Sequence, residues 1–100
     1  MNKAGLFDLT GKVAVVTGGN GGLGRGIALG LAEAGAAVAV LGRNEEKSQK
    51  VLSELKALGI RSMAVTIDLT RRDEFEPASQ GVENQLGGVD ILVNNAETSP

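Results

Sequence analysis

Residues 17–24 read Thr-Gly-Gly-Asn-Gly-Gly-Leu-Gly, and this glycine-rich run lies between an apolar strand pattern and a helical pattern. Glycine adopts backbone conformations that a Cβ atom forbids, so the chain can turn sharply and a ligand can approach the main chain. The helix that follows presents unpaired N–H groups and the positive end of its dipole to the turn. This strand–turn–helix unit therefore predicts a cradle for a phosphate group.

Short apolar runs alternate with helical patterns along the rest of the chain. We predict four strands, over residues 12–17, 37–41, 62–67 and 89–94. Their near-continuous hydrophobicity is typical of parallel strands that are covered on both faces. Right-handed β-α-β connections then predict an α/β fold, a partial Rossmann fold with a parallel sheet of about four strands in the order 3-2-1-4 and three helices.

Helical periodicity predicts two helices, over residues 22–34 and 44–58, each followed by a glycine stop. Asn44 is a favourable N-cap for the second. The third helix has two candidate starts. A capping-box pattern would begin it at Thr70 and leave Pro77 in the interior, where proline costs about 3 kcal/mol or kinks the helix. A start at Glu76 gives Pro77 the favourable first position, so we expect a short turn and a helix over 77–86.

Composition argues against several classes of function. The 100 residues are 42% apolar with a formal net charge of −2, as in a single globular domain. Two aromatic residues and no basic stripe argue against nucleic acid as a partner. The absence of His and Cys argues against a metal site. No run of about 18 apolar residues and no signal-peptide pattern occur, so we expect a cytoplasmic protein that does not bind membranes.

The glycine run fits two nucleotide-binding patterns, G-x-G-x-x-G from Gly19 and T-G-x-x-x-G-x-G from Thr17. A Walker phosphate loop requires Gly-Lys-Ser/Thr at the start of the helix, and Leu23-Gly24-Arg25 does not supply it. The preceding strand and the following helix provide the context that a dinucleotide site needs. A dinucleotide site is therefore favoured over a flexible turn.

Three motifs in order make the chain resemble the classical short-chain dehydrogenase/reductase family: the turn at residues 17–24, Asp68-Leu69-Thr70, and Asn94-Asn95-Ala96. The resemblance implies an NAD(P) cofactor and hydride transfer between an alcohol and a carbonyl. The amino-terminal pattern is most similar to gluconate and deoxygluconate dehydrogenases. The family's catalytic Tyr-x-x-x-Lys, its Ser and its later Asn would follow Pro100, so we expect residues 1–100 to be a cofactor-binding half-domain that is inactive alone, with no catalytic residue.

The resemblance also implies which residues contact the dinucleotide. The backbone around Asn20, Gly22 and Leu23 would face the pyrophosphate and a ribose. The Asp68 carboxylate would accept a hydrogen bond from the adenine amino group, with the Leu69 amide beside it. The full set of predicted cofactor-binding residues is Gly18, Asn20, Gly22, Leu23, Gly24, Arg43, Asn44, Asp68, Leu69, Asn95 and Ala96.

The motif after the fourth strand carries a second group of implied roles. Asn95 and Ala96 would line the ribose side, and Asn94 would join neighbouring strands. The chain departs from the family at Glu97, where glycine is usual; the glutamate adds bulk and negative charge near the ribose. From the residues alone, Asp68 is alternatively a solvated turn residue, and the two asparagines alternatively only close a strand.

The end of the second strand bears on which cofactor is bound. NAD sites place an Asp or Glu there to bind the ribose 2′-hydroxyl, whereas this chain has Gly42 followed by Arg43 and Asn44. An arginine can pair with a 2′-phosphate, so NADP(H) is favoured and NAD(H) stays possible. In the alternative, Arg43 is solvated and Glu45 or Glu46 reaches the ribose.

Two other classes of function compete with an oxidoreductase part: a non-catalytic nucleotide-binding module, and a structural fragment whose pocket never forms. The fourth strand raises a further expectation. It is apolar and, in the predicted sheet, unpaired on its far side, with Asp90 as its only charge. Because such an edge recruits another strand, we expect self-association there.

Overall fold

The computed structural model describes residues 8–18, 22–68 and 70–95. Strands and helices alternate as predicted, in the order β1 (Val13–Thr17), α1 (Gly22–Glu33), β2 (Ala37–Gly42), α2 (Glu45–Ala57), β3 (Ser62–Thr66), α3 (Arg72–Leu86) and β4 (Ile91–Asn94). The four strands are parallel and lie in the order β3-β2-β1-β4. The predicted partial Rossmann fold is therefore confirmed.

The central strands are buried along their whole length, because helices cover both faces of the sheet. Every residue of β1 and β2 is buried. On one face, Ala28 of α1 and Leu55 of α2 pack against alternate residues of these strands. On the other face, Val82 of α3 packs against the residues in between. Burial on both faces accounts for the lack of polar alternation in the strand sequences.

The preferred start of the third helix was wrong. The helix α3 begins at Arg72 and contains Pro77 as its sixth residue. Proline there removes one helical hydrogen bond, the one that the carbonyl of Asp73 would accept. Asp73 lies in the exposed first turn, where water can replace that bond. The longer helix also lets Phe75 pack against the same apolar cluster as Ala78, which favours the early start.

The alternative start, with a capping box at Thr70, does not occur either. The N-cap of α3 is Arg71, and no side chain caps it. The hydroxyl of Thr70 instead donates to Oδ1 of Asp68 at 2.7 Å. A threonine can bond to a side chain two residues back more easily than it can cap a helix that begins later. By contrast, the predicted cap of α2 is present, because Oδ1 of Asn44 accepts from the amide of Lys47 at 2.9 Å.

The outer strand β4 is covered less well than its neighbours. Its exposure alternates, and Ile91 and Val93 pack against the cluster that contains α1 and α2. Leu92 points to the other face and is 57% exposed, and the preceding Val89 is 37% exposed. Among the described residues no strand pairs with the far edge of β4.

Candidate cofactor site

The carboxyl ends of the strands meet at one edge of the sheet, where the order of the strands reverses. From β1 the chain proceeds outward to β2 and β3, and then returns to β4 on the other side of β1. The helix α1 lies on one face and α3 on the other. Parallel sheets bind ligands in the crevice outside such a reversal point. Gly18, which follows β1, and Gly22, which begins α1, lie at this point.

The start of α1 lies directly against the turn that follows β1. A Cβ atom built on Gly24 would lie 2.0 Å from the carbonyl oxygen of Gly18 and 2.7 Å from Nδ2 of Asn95. Only glycine allows this close approach of helix and turn. Gly18 and Gly22 also have positive φ angles, of 68° and 50°. The glycines thus bring the positive end of α1 to the crevice, as a phosphate-binding turn requires.

A buried threonine joins the two strands on either side of the reversal point. Thr17, the last residue of β1, is 4% exposed. Its hydroxyl lies 3.1 Å from Oδ1 of Asn94 and 3.2 Å from the carbonyl of Val93, and it accepts from the amide of Asn95 at 3.0 Å. The expected link between strands through Asn94 is therefore present. Thr17 was missing from the predicted site residues, yet it holds Asn95 beside Gly24.

A large apolar side chain lies at the mouth of the crevice. Leu23, in the first turn of α1, is 73% exposed, the highest exposure among the described large hydrophobic residues. The same helix is fastened to α2 by the guanidinium of Arg25, which donates to the two carboxylate oxygens of Glu54 at 2.8 and 2.5 Å. With most of its side chain exposed, Leu23 is available to cover a ligand.

The ends of β2 and β3 are joined by a backbone hydrogen bond, 2.8 Å long, from the amide of Ile67 to the carbonyl of Gly42. This bond places Arg43 and Asp68 on neighbouring strand ends. Two hydrogen bonds from Thr70, with the charges of Arg43 and Arg71 as smaller contributions, hold the pKa of the Asp68 carboxyl below its ordinary value. Asp68 is therefore an ionised acceptor at neutral pH.

Most of the predicted residues lie along this one edge. A backbone bond of 2.7 Å from Gly18 to Leu41 connects the glycine turn to the end of β2. Asn44 begins α2 at the same edge, although its side-chain oxygen already caps that helix. Asn20, Leu69, Ala96 and Glu97 lie outside the described residues. The described part of the chain contains no group of three potential metal ligands and no helix long and apolar enough to cross a membrane.

The fold and this edge define an α/β unit of the dinucleotide-binding type. Residues 12–99 match the family model for short chain dehydrogenases, and the chain belongs to that family. It is 43% identical over 90 residues to the 2-dehydro-3-deoxy-D-gluconate 5-dehydrogenase of Escherichia coli, covering 90% of this chain and 35% of the relative. It is 44% identical over 86 residues to the 3-oxoacyl-(acyl-carrier-protein) reductase of Staphylococcus epidermidis, covering 85% and 35%.

A solved structure shows the same arrangement of elements. The L-sorbose reductase of Gluconobacter frateurii, in complex with NADPH and L-sorbose, superposes with a TM-score of 0.88 at 34% identity, covering 94% of this chain and 36% of that one. This chain therefore spans about a third of the length of these three proteins. The two relatives, of nearly equal identity to this chain, are named for different substrates.

Proposed function

We propose that this chain binds NADP(H) and forms the cofactor-binding part of an oxidoreductase that interconverts an alcohol and a carbonyl by hydride transfer. The observation that carries the proposal is the close approach of Gly24 to Gly18 and Asn95. That contact brings the start of α1 to the reversal point of the sheet, directly against the backbone of Gly18. A dinucleotide pyrophosphate is the group that such an arrangement suits.

The residues of the cradle would hold the central part of the cofactor. The backbone at Gly18, Asn20 and Gly22 would bind the pyrophosphate, and the exposed side chain of Leu23 would become buried against the cofactor. Asn95 and Ala96 would bind a ribose. When bound, the nicotinamide ring would donate or accept the hydride. The residues of this chain would bind and orient the cofactor, and they include no Tyr, His or Cys to supply a proton.

The adenosine end of the cofactor would lie along the ends of β2 and β3. Asp68 would accept from the adenine amino group, with Leu69 beside it. Arg43 and Asn44 would bind the 2′-phosphate of NADP(H). Gly42 supports this preference because no carboxylate at the end of β2 repels the phosphate. The reductase from Gluconobacter frateurii, which was solved with NADPH, shows that this fold accepts that cofactor in another family member.

Calorimetric titration with NADPH and NADH tests whether the chain binds a dinucleotide and which of the two it binds more tightly. We expect NADPH to bind about 10-fold more tightly, since a charge-assisted hydrogen bond contributes about 1.5–3 kcal/mol and Arg43 is exposed. Arg43→Ala should remove this preference without weakening NADH. Lys56→Ala, which removes an equal charge from the far end of α2, is the matched control. Equal affinities in the unchanged chain would contradict the role of Arg43, and no binding at millimolar NADPH would support a structural fragment.

A non-catalytic nucleotide-binding module is the second candidate. It is favoured by the absence of Tyr, His and Cys from the 100 residues. Carbonyl reduction needs an acid that protonates the oxygen as the hydride arrives. We therefore propose that the chain alone binds the cofactor without reducing a carbonyl. A cytoplasmic location stays a prediction.

We also propose that the chain associates with itself through the far edge of β4. Leu92 and Val89 are exposed there, and no strand in the described part of the chain pairs with that edge. An open strand edge beside apolar side chains favours pairing with another chain. Sedimentation at micromolar concentration should show a dimer or a larger species. Leu92→Lys should shift it towards the monomer, whereas Leu58→Lys, at a comparably exposed leucine after α2, should not. A single monomeric species in the unchanged chain would overturn this proposal.

A further inference from the structure

The tripeptide Asp-Leu-Thr occurs twice in the chain, at residues 8–10 and 68–70, and both copies form the same local bonds. The amide of Thr10 donates to Oδ1 of Asp8 at 3.0 Å, and its hydroxyl donates to the same oxygen at 2.6 Å. The corresponding distances from Thr70 to Oδ1 of Asp68 are 3.0 and 2.7 Å. The first copy precedes β1, at the amino edge of the sheet, and the second follows β3, at the carboxyl edge.

The second copy is also anchored to the helix that follows it. The amide of Asp68 donates to Oε1 of Glu74 at 3.0 Å, and the carbonyl of Asp68 accepts from the amide of Arg71 at 2.9 Å. These bonds fix the main chain of Asp68 against the start of α3. The two bonds from Thr70 then fix the rotation of the carboxylate. Both the position and the orientation of this carboxylate are therefore determined by α3 and Thr70.

Of the two oxygens of the fixed carboxylate, Oδ2 is the one that a ligand can reach. Thr70 occupies Oδ1, and no donor among the described residues reaches Oδ2. Because the hydrogen bonds from Thr70 also favour the ionised form, Oδ2 accepts hydrogen bonds and donates none. An amino group on a ligand base can satisfy it, whereas a carbonyl oxygen in the same place is repelled.

We propose that Thr70 is a positioning residue that aims the Asp68 carboxylate at the cofactor's base, so that the site selects adenine over hypoxanthine. The two bases differ at this point by an amino group in adenine and a carbonyl oxygen in hypoxanthine. This inference rests on the proposed binding of NADP(H). It assigns to Thr70 an effect on the choice of base, which is separate from overall affinity.

The test is the ratio of the dissociation constants for NADPH and for its hypoxanthine counterpart, measured by titration of the chain. We expect a ratio of about 10 in favour of adenine, since a hydrogen bond to a charged group is stronger than one between neutral groups but this one is partly solvated. Thr70→Val, which keeps the shape and the amide but loses the hydroxyl, should lower the ratio to about 2. Thr70→Ser restores the hydroxyl and should retain the original ratio.

The first copy of the tripeptide provides the matched control. Thr10→Val removes the same hydroxyl bond from Asp8 at the opposite edge, and it should leave the base ratio unchanged. Asp68→Asn is a second variant, whose amide can donate to the carbonyl of hypoxanthine, and its ratio should fall to about 1 or invert. An unchanged ratio in Thr70→Val or in Asp68→Asn, with NADPH still bound, overturns this inference alone. Failure of the unchanged chain to bind either dinucleotide overturns the proposed function as well.

Discussion

Gly24→Ala is expected to lower the free energy of unfolding by about 3 kcal/mol or more and to abolish tight cofactor binding. The added methyl group would lie 2.0 Å from the carbonyl oxygen of Gly18. That neighbour is backbone and cannot rotate away as a side chain could. The variant must therefore move α1 away from the turn, which opens the phosphate cradle and separates the helix from Asn95.

Two other glycines of α1 provide controls for the change in residue type. A Cβ atom at Gly26 or Gly30 meets no heavy atom within 4 Å. Alanine at either position should stabilise the chain by about 0.5–1 kcal/mol, because it favours helix without a clash. Urea denaturation of the three variants measures the difference. For a domain of this size, a loss of 3 kcal/mol corresponds to a fall in Tm of about 12–24 °C.

Measuring cofactor affinity distinguishes damage to the phosphate cradle from a loss of overall stability. The NADPH titration of Gly24→Ala is made at a temperature and urea concentration where circular dichroism shows a folded chain. Affinity should still fall at least 10-fold, because the start of α1 no longer lies against the turn. A Gly24→Ala variant that is as stable as Gly26→Ala would contradict the described packing of α1. A stable variant with unchanged affinity would contradict the proposed cradle.

The sheet could be predicted from sequence because its signals are local and agree with one another. The apolar runs of β1 and β2 are uninterrupted, and the helices that follow them, α1 and α2, are each followed by a glycine with positive φ, Gly35 and Gly59. The start of α3 could not be predicted in this way. Pro77 is a strong local signal, but the packing of Phe75 on the sheet is a tertiary effect that outweighs it.

In the candidate site, too, the features with local sequence signals could be predicted and those that depend on tertiary contacts could not. The close approach of α1 to β1 could be predicted from the spacing of the glycines alone. The bridge made by Thr17 could not, because it depends on the register that pairs Thr17 with Asn94, a residue 77 positions further along the chain. The bonds from Thr70 to Asp68 are local, yet they were not predicted, because Thr70 was considered only as a candidate cap for the third helix. A threonine two residues after an aspartate was the signal that could have revealed them.

Gly42→Asp is expected to invert the cofactor preference. The substitution places a carboxylate at the end of β2, beside Arg43 and next to the strand end that carries Asp68. The new carboxylate would accept from the 2′-hydroxyl of NADH and repel the 2′-phosphate of NADPH. A hydrogen bond to a charged group contributes about 1.5–3 kcal/mol, so NADH affinity should rise about 10-fold and NADPH affinity should fall by at least as much.

The Gly42→Asn variant distinguishes the effect of the negative charge on cofactor affinity from the effect of the larger side chain. Gly42 is buried, and its carbonyl accepts the bond from Ile67, so both variants place a side chain of the same size at the same crowded strand end. Thermal melts should show similar Tm values for the two. The asparagine variant should lose affinity for both cofactors equally, since it carries no charge to repel a phosphate. If it inverted the preference as Gly42→Asp does, bulk would decide the choice of cofactor, and the electrostatic account of Gly42 and Arg43 would be wrong.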